Sequence, residues 1–161
     1  MPVYLSLGSN VGDRETNLRS ALELLRSTPG VTLTGESGIY ETEPVGDVDQ
    51  PAFLNMASAM ETTLEPLALL ARLKEIESVI GRVPTRRWGP RVIDIDIVLW
   101  DELVLSRERL KIPHSEFRNR AFVLVPLAEI APNVVDPVTG MSVAELLARV
   151  GNPASVHVFA G

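Results

Sequence analysis

Apolar residues recur along this chain in two rhythms, short runs that suit strands and longer stretches with helical spacing. Residues 2–8 (Pro-Val-Tyr-Leu-Ser-Leu-Gly) predict a buried first strand, stopped by Gly8-Ser-Asn-Val-Gly12. Asp13 is placed to cap a helix in which Leu18, Ala21, Leu22 and Leu25 share one face, ending near Ser27. Pro29-Gly30 turns the chain. Residues 31–40, rich in Val, Thr, Ile and Tyr, predict a second strand, and 53–62 a third. Between them Pro44, Gly46 and Pro51 require a loop over 41–51. Pro66 opens a second helix without losing a hydrogen bond, Leu69, Leu73, Ile76 and Ile80 mark its buried face, and Gly81 ends it. Glu77 lies close to that face and reads as a boundary residue pairing with a neighbouring Arg. Residues 92–99 predict a fourth strand, Trp100-Asp-Glu a turn into another short strand, and Lys111-Ile-Pro-His114 a segment that ends in a loop. Short helices are expected over 121–130 and 143–150.

The order strand, helix, strand, strand, helix, strand is that of an α/β (α+β) fold of the split, ferredoxin-like βαββαβ type. Such a fold is an antiparallel sheet with helices on one face, here with C-terminal additions. Nothing in the chain reads as a linker, a repeat or a low-complexity tract, so residues 1–161 are expected to form a single domain.

Composition narrows the classes. The chain has a formal net charge of −6, which argues against broad nucleic-acid binding. It contains no cysteine, so disulfides and thiolate zinc sites are excluded. The opening residues lack the basic and apolar segments of a signal peptide, and no stretch approaches 18 apolar residues. A cytoplasmic, soluble protein is expected, and nothing demands more than a monomer.

The candidate chemistry is concentrated in residues 82–99. The first part, Arg82-Val-Pro-Thr-Arg-Arg-Trp-Gly-Pro-Arg91, carries four arginines and no acid. The second is an apolar strand broken by Asp94 and Asp96. On a strand, residues i and i+2 project from one face with α-carbons about 6.7 Å apart. Paired carboxylates on an apolar strand are costly unless a cation compensates them, and Mg²⁺ suits one or two carboxylates plus waters and phosphate oxygens. Arginines entering the same site would grip the phosphates. Taken singly, Asp-x-Asp also fits a solvated edge strand and the arginines a solvated loop. Gly8-Ser-Asn-Val-Gly12 could present backbone amides to an anion or simply form a tight turn. No Gly-x-x-x-x-Gly-Lys-Ser/Thr phosphate loop is present.

The stretch Arg87-Trp-Gly-Pro-Arg91-Val-Ile-Asp94-Ile-Asp96-Ile-Val resembles the signature of the 6-hydroxymethyl-7,8-dihydropterin pyrophosphokinases of folate biosynthesis. Further matches to that family are Leu7-Gly-Ser-Asn10, Tyr40-x-Thr42-x-Pro44-x-Gly46 and Gln50-Pro-x-Phe53-Leu-Asn55. Ile112-Pro-His114, Asn119-Arg120-Ala-Phe122 and Pro126-Leu-x-Glu-Ile-Ala-Pro132 continue the resemblance. It covers about residues 3–135 in the family's order.

The resemblance implies a ferredoxin-like fold and Mg²⁺-dependent transfer of pyrophosphate from ATP to the pterin's hydroxymethyl group, with AMP released. By the same resemblance Asp94 and Asp96 hold two Mg²⁺ ions, an arrangement that clamps the oxygens of an in-line displacement. Arg82 and Arg91 correspond to loop arginines that contact ATP and assist transfer, and Trp88 to a residue that closes over the substrates. His114 and Arg120 correspond to nucleotide-phosphate contacts. Phe53 and Phe122 match the aromatic pair that stacks the pterin, Thr42 and Asn55 its hydrogen-bonding partners, and Pro44 and Gly46 lie in the matching substrate loop. Without the resemblance both Phe residues would read as core packing, and His114 and His157 as surface loop histidines. The chain departs from the family in carrying Phe53 where Tyr can occur, Pro84 at a place where some members carry a loop arginine, Lys74 for a neutral polar residue, and Ser115 where an aromatic can stack. A non-catalytic ligand-binding module, an RNA-binding domain and a metal-dependent phosphohydrolase could share this architecture, since fold does not imply function. The acidic balance and the 5% aromatic content count against RNA binding.

Overall fold

The computed structural model describes residues 2–43, 51–81, 92–151 and 155–159. Its centre is an antiparallel sheet. Strand β1 (Pro2–Ser9) pairs on one side with β5 (Asp94–Trp100) and on the other with β4 (Phe53–Thr62). Strand β4 in turn pairs with β2 (Val31–Glu36) and β3 (Tyr40–Thr42). The order β5-β1-β4-β2 is the split arrangement expected from the sequence. Alternation puts Val3, Leu5 and Leu7 on one face of β1, opposite Met60 and Met56 of β4 and beside Ile97 and Ile95 of β5.

Helix α1 (Arg14–Arg26) and helix α2 (Pro66–Ile80) cover that face. Asp13 caps α1 by accepting the Thr16 amide at 3.1 Å, and Leu18, Ala21, Leu22 and Leu25 are all buried. Pro66 occupies the first turn of α2, Leu69, Leu73 and Ile76 are buried, and Gly81 closes the helix. Burial of these side chains against the sheet is the main stabilisation, at about 1.5–3 kcal/mol for each large one.

The second face is also covered, which corrects the expectation of helices on one face only. A 3-10 turn (Phe117–Asn119), α3 (Ala121–Ile130) and α4 (Val143–Val150) pack there around Phe117, Leu124, Leu127 and Leu146. α3 is apolar almost throughout, as a helix held between sheet and α4 must be.

Three further departures have local causes. The second strand is split: the Ser37 amide still donates to Ala57 O at 2.9 Å, but its hydroxyl takes the Ala57 amide at 2.8 Å and the Gly38 amide turns to Glu129 at 3.0 Å, so regular pairing stops over residues 37–39. Lys111–Ile112 forms a short strand β7 that pairs with β6 (Leu105–Ser106), and a cis Ile112–Pro113 bond follows it. His157 is not in a loop. It lies in β8 (Val156–Val158), which adds to the free edge of β3. Among the described residues no helix is long and apolar enough to cross a membrane.

Candidate active site

The strand register alone assembles most of the site. Gly8 sits between Asp94 on β5 and Asn55 on β4, and Asn55 is opposite Tyr40 on β3. One step along, Ser6 separates Asp96 from Ala57, and on the other side Thr42 is opposite Phe53. Residues in register share a face, so Asp94, Asp96, Asn55, Phe53 and Thr42 all project from the side covered by α3. With two strand spacings between them, the carboxylates and the Asn55 amide stand on the order of 10 Å apart.

Gly8 is required at the middle of this row. A Cβ built there would lie 2.9 Å from Asn55 Nδ2 and 3.6 Å from Phe53 Cδ1, so any side chain would displace the amide. Asn55 is buried, and the Thr42 hydroxyl donates to its Oδ1 at 2.9 Å. This bond fixes the amide orientation, with its NH₂ turned toward Gly8.

The two aspartates are held from behind the sheet edge. The arginines of 82–91 lie outside the described residues, and among the described residues Glu77 meets Ile95 and Lys74. Glu77 Oε2 accepts the backbone amide of Ile95, the residue between Asp94 and Asp96, at 2.8 Å, and its Oε1 is 3.3 Å from Lys74 Nζ. β5 is an edge strand, and Ile95 turns its N–H away from β1 toward α2. Asn17 of α1 adds a second brace by donating to Ser9, Val11 and the Val92 carbonyl at 3.1, 2.9 and 3.3 Å. It ties the turn after β1 to the approach to β5.

His114 follows the cis bond, its amide donating to Val98 O at 2.9 Å and its Nδ1 accepting the Glu116 amide at 3.1 Å. Burial holds its pKa below the usual histidine value; Asp96 opposes this and Arg120 reinforces it. The ring is therefore neutral near pH 7, with its proton on Nε2 because Nδ1 is an acceptor. That Asp96 and Arg120 both act on it places the three groups in one electrostatic neighbourhood. Arg120 caps α3 with its backbone, and its guanidinium stands 5.7 Å from the ring centre of Phe122. Phe122 is half-buried at the border of the second core.

Of the residues expected from the sequence, Asp94, Asp96, Thr42, Phe53 and Asn55 thus share one end of one sheet face. Asp96, His114 and Arg120 form one neighbourhood beside it, with Phe122 next to Arg120. Arg82, Trp88, Arg91, Pro44 and Gly46 lie outside the described residues. Gly8, Asn17 and the backbone contact of Glu77 were missed. Gly8 had a signal, the Leu7-Gly-Ser-Asn10 motif at a strand end, but the other two depend on contacts across the fold that spacing does not encode.

The donor chemistry of Asp94 and Asp96 suits a hard divalent cation: oxygen only, two carboxylates on one strand face. Among the described residues no group of three or more His, Asp or Glu side chains gathers as a metal cage.

Comparison with known proteins identifies the family. The family model for 7,8-dihydro-6-hydroxymethylpterin-pyrophosphokinase matches residues 4–132. The 2-amino-4-hydroxy-6-hydroxymethyldihydropteridine pyrophosphokinase of Methylorubrum extorquens is 51% identical over 154 residues, covering 96% of each chain. The enzyme of the same name from Bacillus subtilis is 50% identical over 131 residues, covering 81% of this chain and 78% of the relative. Among solved structures, wild-type HPPK-DHPS of Plasmodium falciparum with pteroate superposes with a TM-score of 0.73 at 14% identity, a likeness of fold. The match covers 92% of this chain and 44% of that one, so this chain spans less than half the length of that solved protein. By the family match and the two half-identical relatives, the chain belongs to the 7,8-dihydro-6-hydroxymethylpterin-pyrophosphokinase family.

Proposed function

We propose that the chain transfers pyrophosphate from ATP to 6-hydroxymethyl-7,8-dihydropterin across the sheet face described above, with the pterin lying toward β3 and β4 and the triphosphate toward β5. The pyrophosphokinase activity itself follows from family membership. One observation supports the placement: Gly8 lets the Asn55 amide lie close against β1, in the row that carries Asp94 on its other side, with Phe53 beside it.

In this reading the hydroxymethyl oxygen forms a bond to the β-phosphorus as the bond from that phosphorus to the α,β-bridging oxygen breaks. The hydroxyl proton passes to solvent, and AMP leaves with the bridging oxygen. Asn55 donates its NH₂ to the pterin edge, held in orientation by Thr42, and Phe53 and Phe122 stack on the ring faces. Pro44 and Gly46 contribute from the segment between β3 and β4. Asp94 and Asp96 would hold Mg²⁺, two ions in this proposal, which when bound neutralises charge building up on the transferring group. Neutral His114 offers its Nε2 proton to a nucleotide phosphate oxygen, and Arg120 adds fixed positive charge. Arg82, Arg91 and Trp88 complete the phosphate side, the arginines as cations and the Trp as a cover against water. We further assign residues 1–161 to a single domain acting as a cytoplasmic monomer.

The test is a nucleotide assay with MgATP, with and without 6-hydroxymethyl-7,8-dihydropterin. AMP formed only with the pterin, in step with a pterin diphosphate, is the expected result. ADP or free phosphate would overturn the pyrophosphoryl reading.

A further inference from the structure

We propose that Arg14, working through Glu41 and the Ala52 carbonyl, is a positioning residue for the pterin-facing strand, an inference that rests on the site reading above. Arg14 is the first residue of α1, and its Nη1 donates both to Glu41 Oε2 and to Ala52 O, each at 2.8 Å. Glu41 is the middle residue of β3, between Tyr40 and Thr42. Ala52 immediately precedes Phe53 at the start of β4. One guanidinium therefore joins the two chain ends that carry Thr42 and Phe53.

It does so from behind. Alternation puts the Glu41 side chain on the face opposite Tyr40 and Thr42, so Arg14 stands outside the substrate side of the sheet. β3 is only three residues long, and a strand so short holds its register weakly unless tethered. The Thr42–Asn55 bond depends on that register, with Thr42 opposite Phe53 and Tyr40 opposite Asn55. Loosening the tether would let the Thr42 hydroxyl drift and free the Asn55 amide to rotate.

The tether is itself anchored. Glu41 Oε1 lies 3.6 Å from His157 Nε2 on β8, and the Phe159 ring lies under the Arg14 guanidinium at 5.7 Å. The C-terminal strand thus buttresses the same pair from the outer edge. Arginine suits this junction because Nη1 carries two N–H donors, one for the carboxylate and one for the carbonyl, while the planar guanidinium lies over the Phe159 ring.

The experiment measures kcat, and KM for 6-hydroxymethyl-7,8-dihydropterin and for MgATP separately, in Arg14→Met, Arg14→Lys, Glu41→Gln and, as a control of the site, Asn55→Ala. Arg14→Met is expected to raise the pterin KM about tenfold while the MgATP KM and kcat stay within about twofold, because misplacement of a contact group by a fraction of an ångström costs on this order. Arg14→Lys should recover part of that loss. Glu41→Gln should shift the pterin KM in the same direction, and carries the test should Arg14→Met fail to fold. A raised pterin KM in Asn55→Ala with none in Arg14→Met or Glu41→Gln, or equal shifts for both substrates, would overturn the role of Arg14 alone. An unchanged pterin KM in Asn55→Ala would overturn the site reading and the inference with it.

Discussion

Glu77 Oε2 accepts the amide of Ile95 at 2.8 Å, so a carboxylate on α2 holds the peptide that separates Asp94 from Asp96. The contact covers the outer edge of β5 at the point where that strand carries its acids, and the Glu77 side chain is 16% exposed. Glu77→Ala is expected to leave the Ile95 amide unpaired, costing about 1–3 kcal/mol of stability. It should also lower turnover by loosening the aspartates. Glu77→Gln keeps an acceptor oxygen and should recover most of both. Denaturant unfolding with parallel turnover measurements separates them, and equal behaviour of Ala and Gln would contradict the backbone role.

Asp96 is exposed on its strand, so its removal should not disturb the core. Asp96→Ala is expected to lower turnover by about 100-fold or more with an unchanged melting temperature, the scale seen when one transition-state charge partner is lost. Ordinary activity in that variant at saturating Mg²⁺ would rule out the metal assignment.

Much of this was legible beforehand, for reasons visible in particular residues. Leu18, Ala21, Leu22 and Leu25 announce α1 because their spacing matches the helix period and Asp13 supplies the cap. The third strand was legible over its full length, Phe53–Thr62, and α3 and α4 over theirs. The break at 37–39 was not, because Ala57 and Glu129 impose it from β4 and α3. Three-residue β8 was hidden for the same reason: its partner, β3, lies more than a hundred residues earlier. Pairing Asp94 with Asp96 needed only strand alternation, whereas placing Asn55 beside them needed the register of β1 against two neighbours.

Ser58 marks a place where the core is imperfect. Its Oγ is fully buried with no hydrogen-bond partner among the described residues, on a strand whose neighbours Met56 and Met60 are core residues. Ser58→Ala removes a desolvated hydroxyl without changing the backbone. It is expected to raise stability by about 1 kcal/mol, within the range for an unpaired buried polar group. Unfolding titrations on the two proteins check this, and a loss of stability would mean that the hydroxyl is satisfied in solution.

Asp136 is the buried anchor of the C-terminal layer. It is wholly inaccessible, and its carboxylate accepts from Arg118 Nε and Nη2 at 2.5 and 3.0 Å, from the Val138 amide at 3.0 Å and from the Thr139 hydroxyl at 2.7 Å. Burial works against the charged form, but these donors outweigh it and hold the pKa below the ordinary value of 3.8. A folded-state pKa below the unfolded one means that the unfolded chain binds the proton more readily, so acid favours unfolding. The stabilisation from this group is therefore complete above about pH 4 and is lost as pH falls through the folded value. Asp136→Ala should cost about 3–5 kcal/mol, because it leaves the Arg118 guanidinium, itself mostly buried, without its partner. It should also flatten the fall in stability below pH 4. Denaturant midpoints for both proteins across pH 5 to 2 would show this, whereas parallel curves would mean that other carboxylates govern the acid transition.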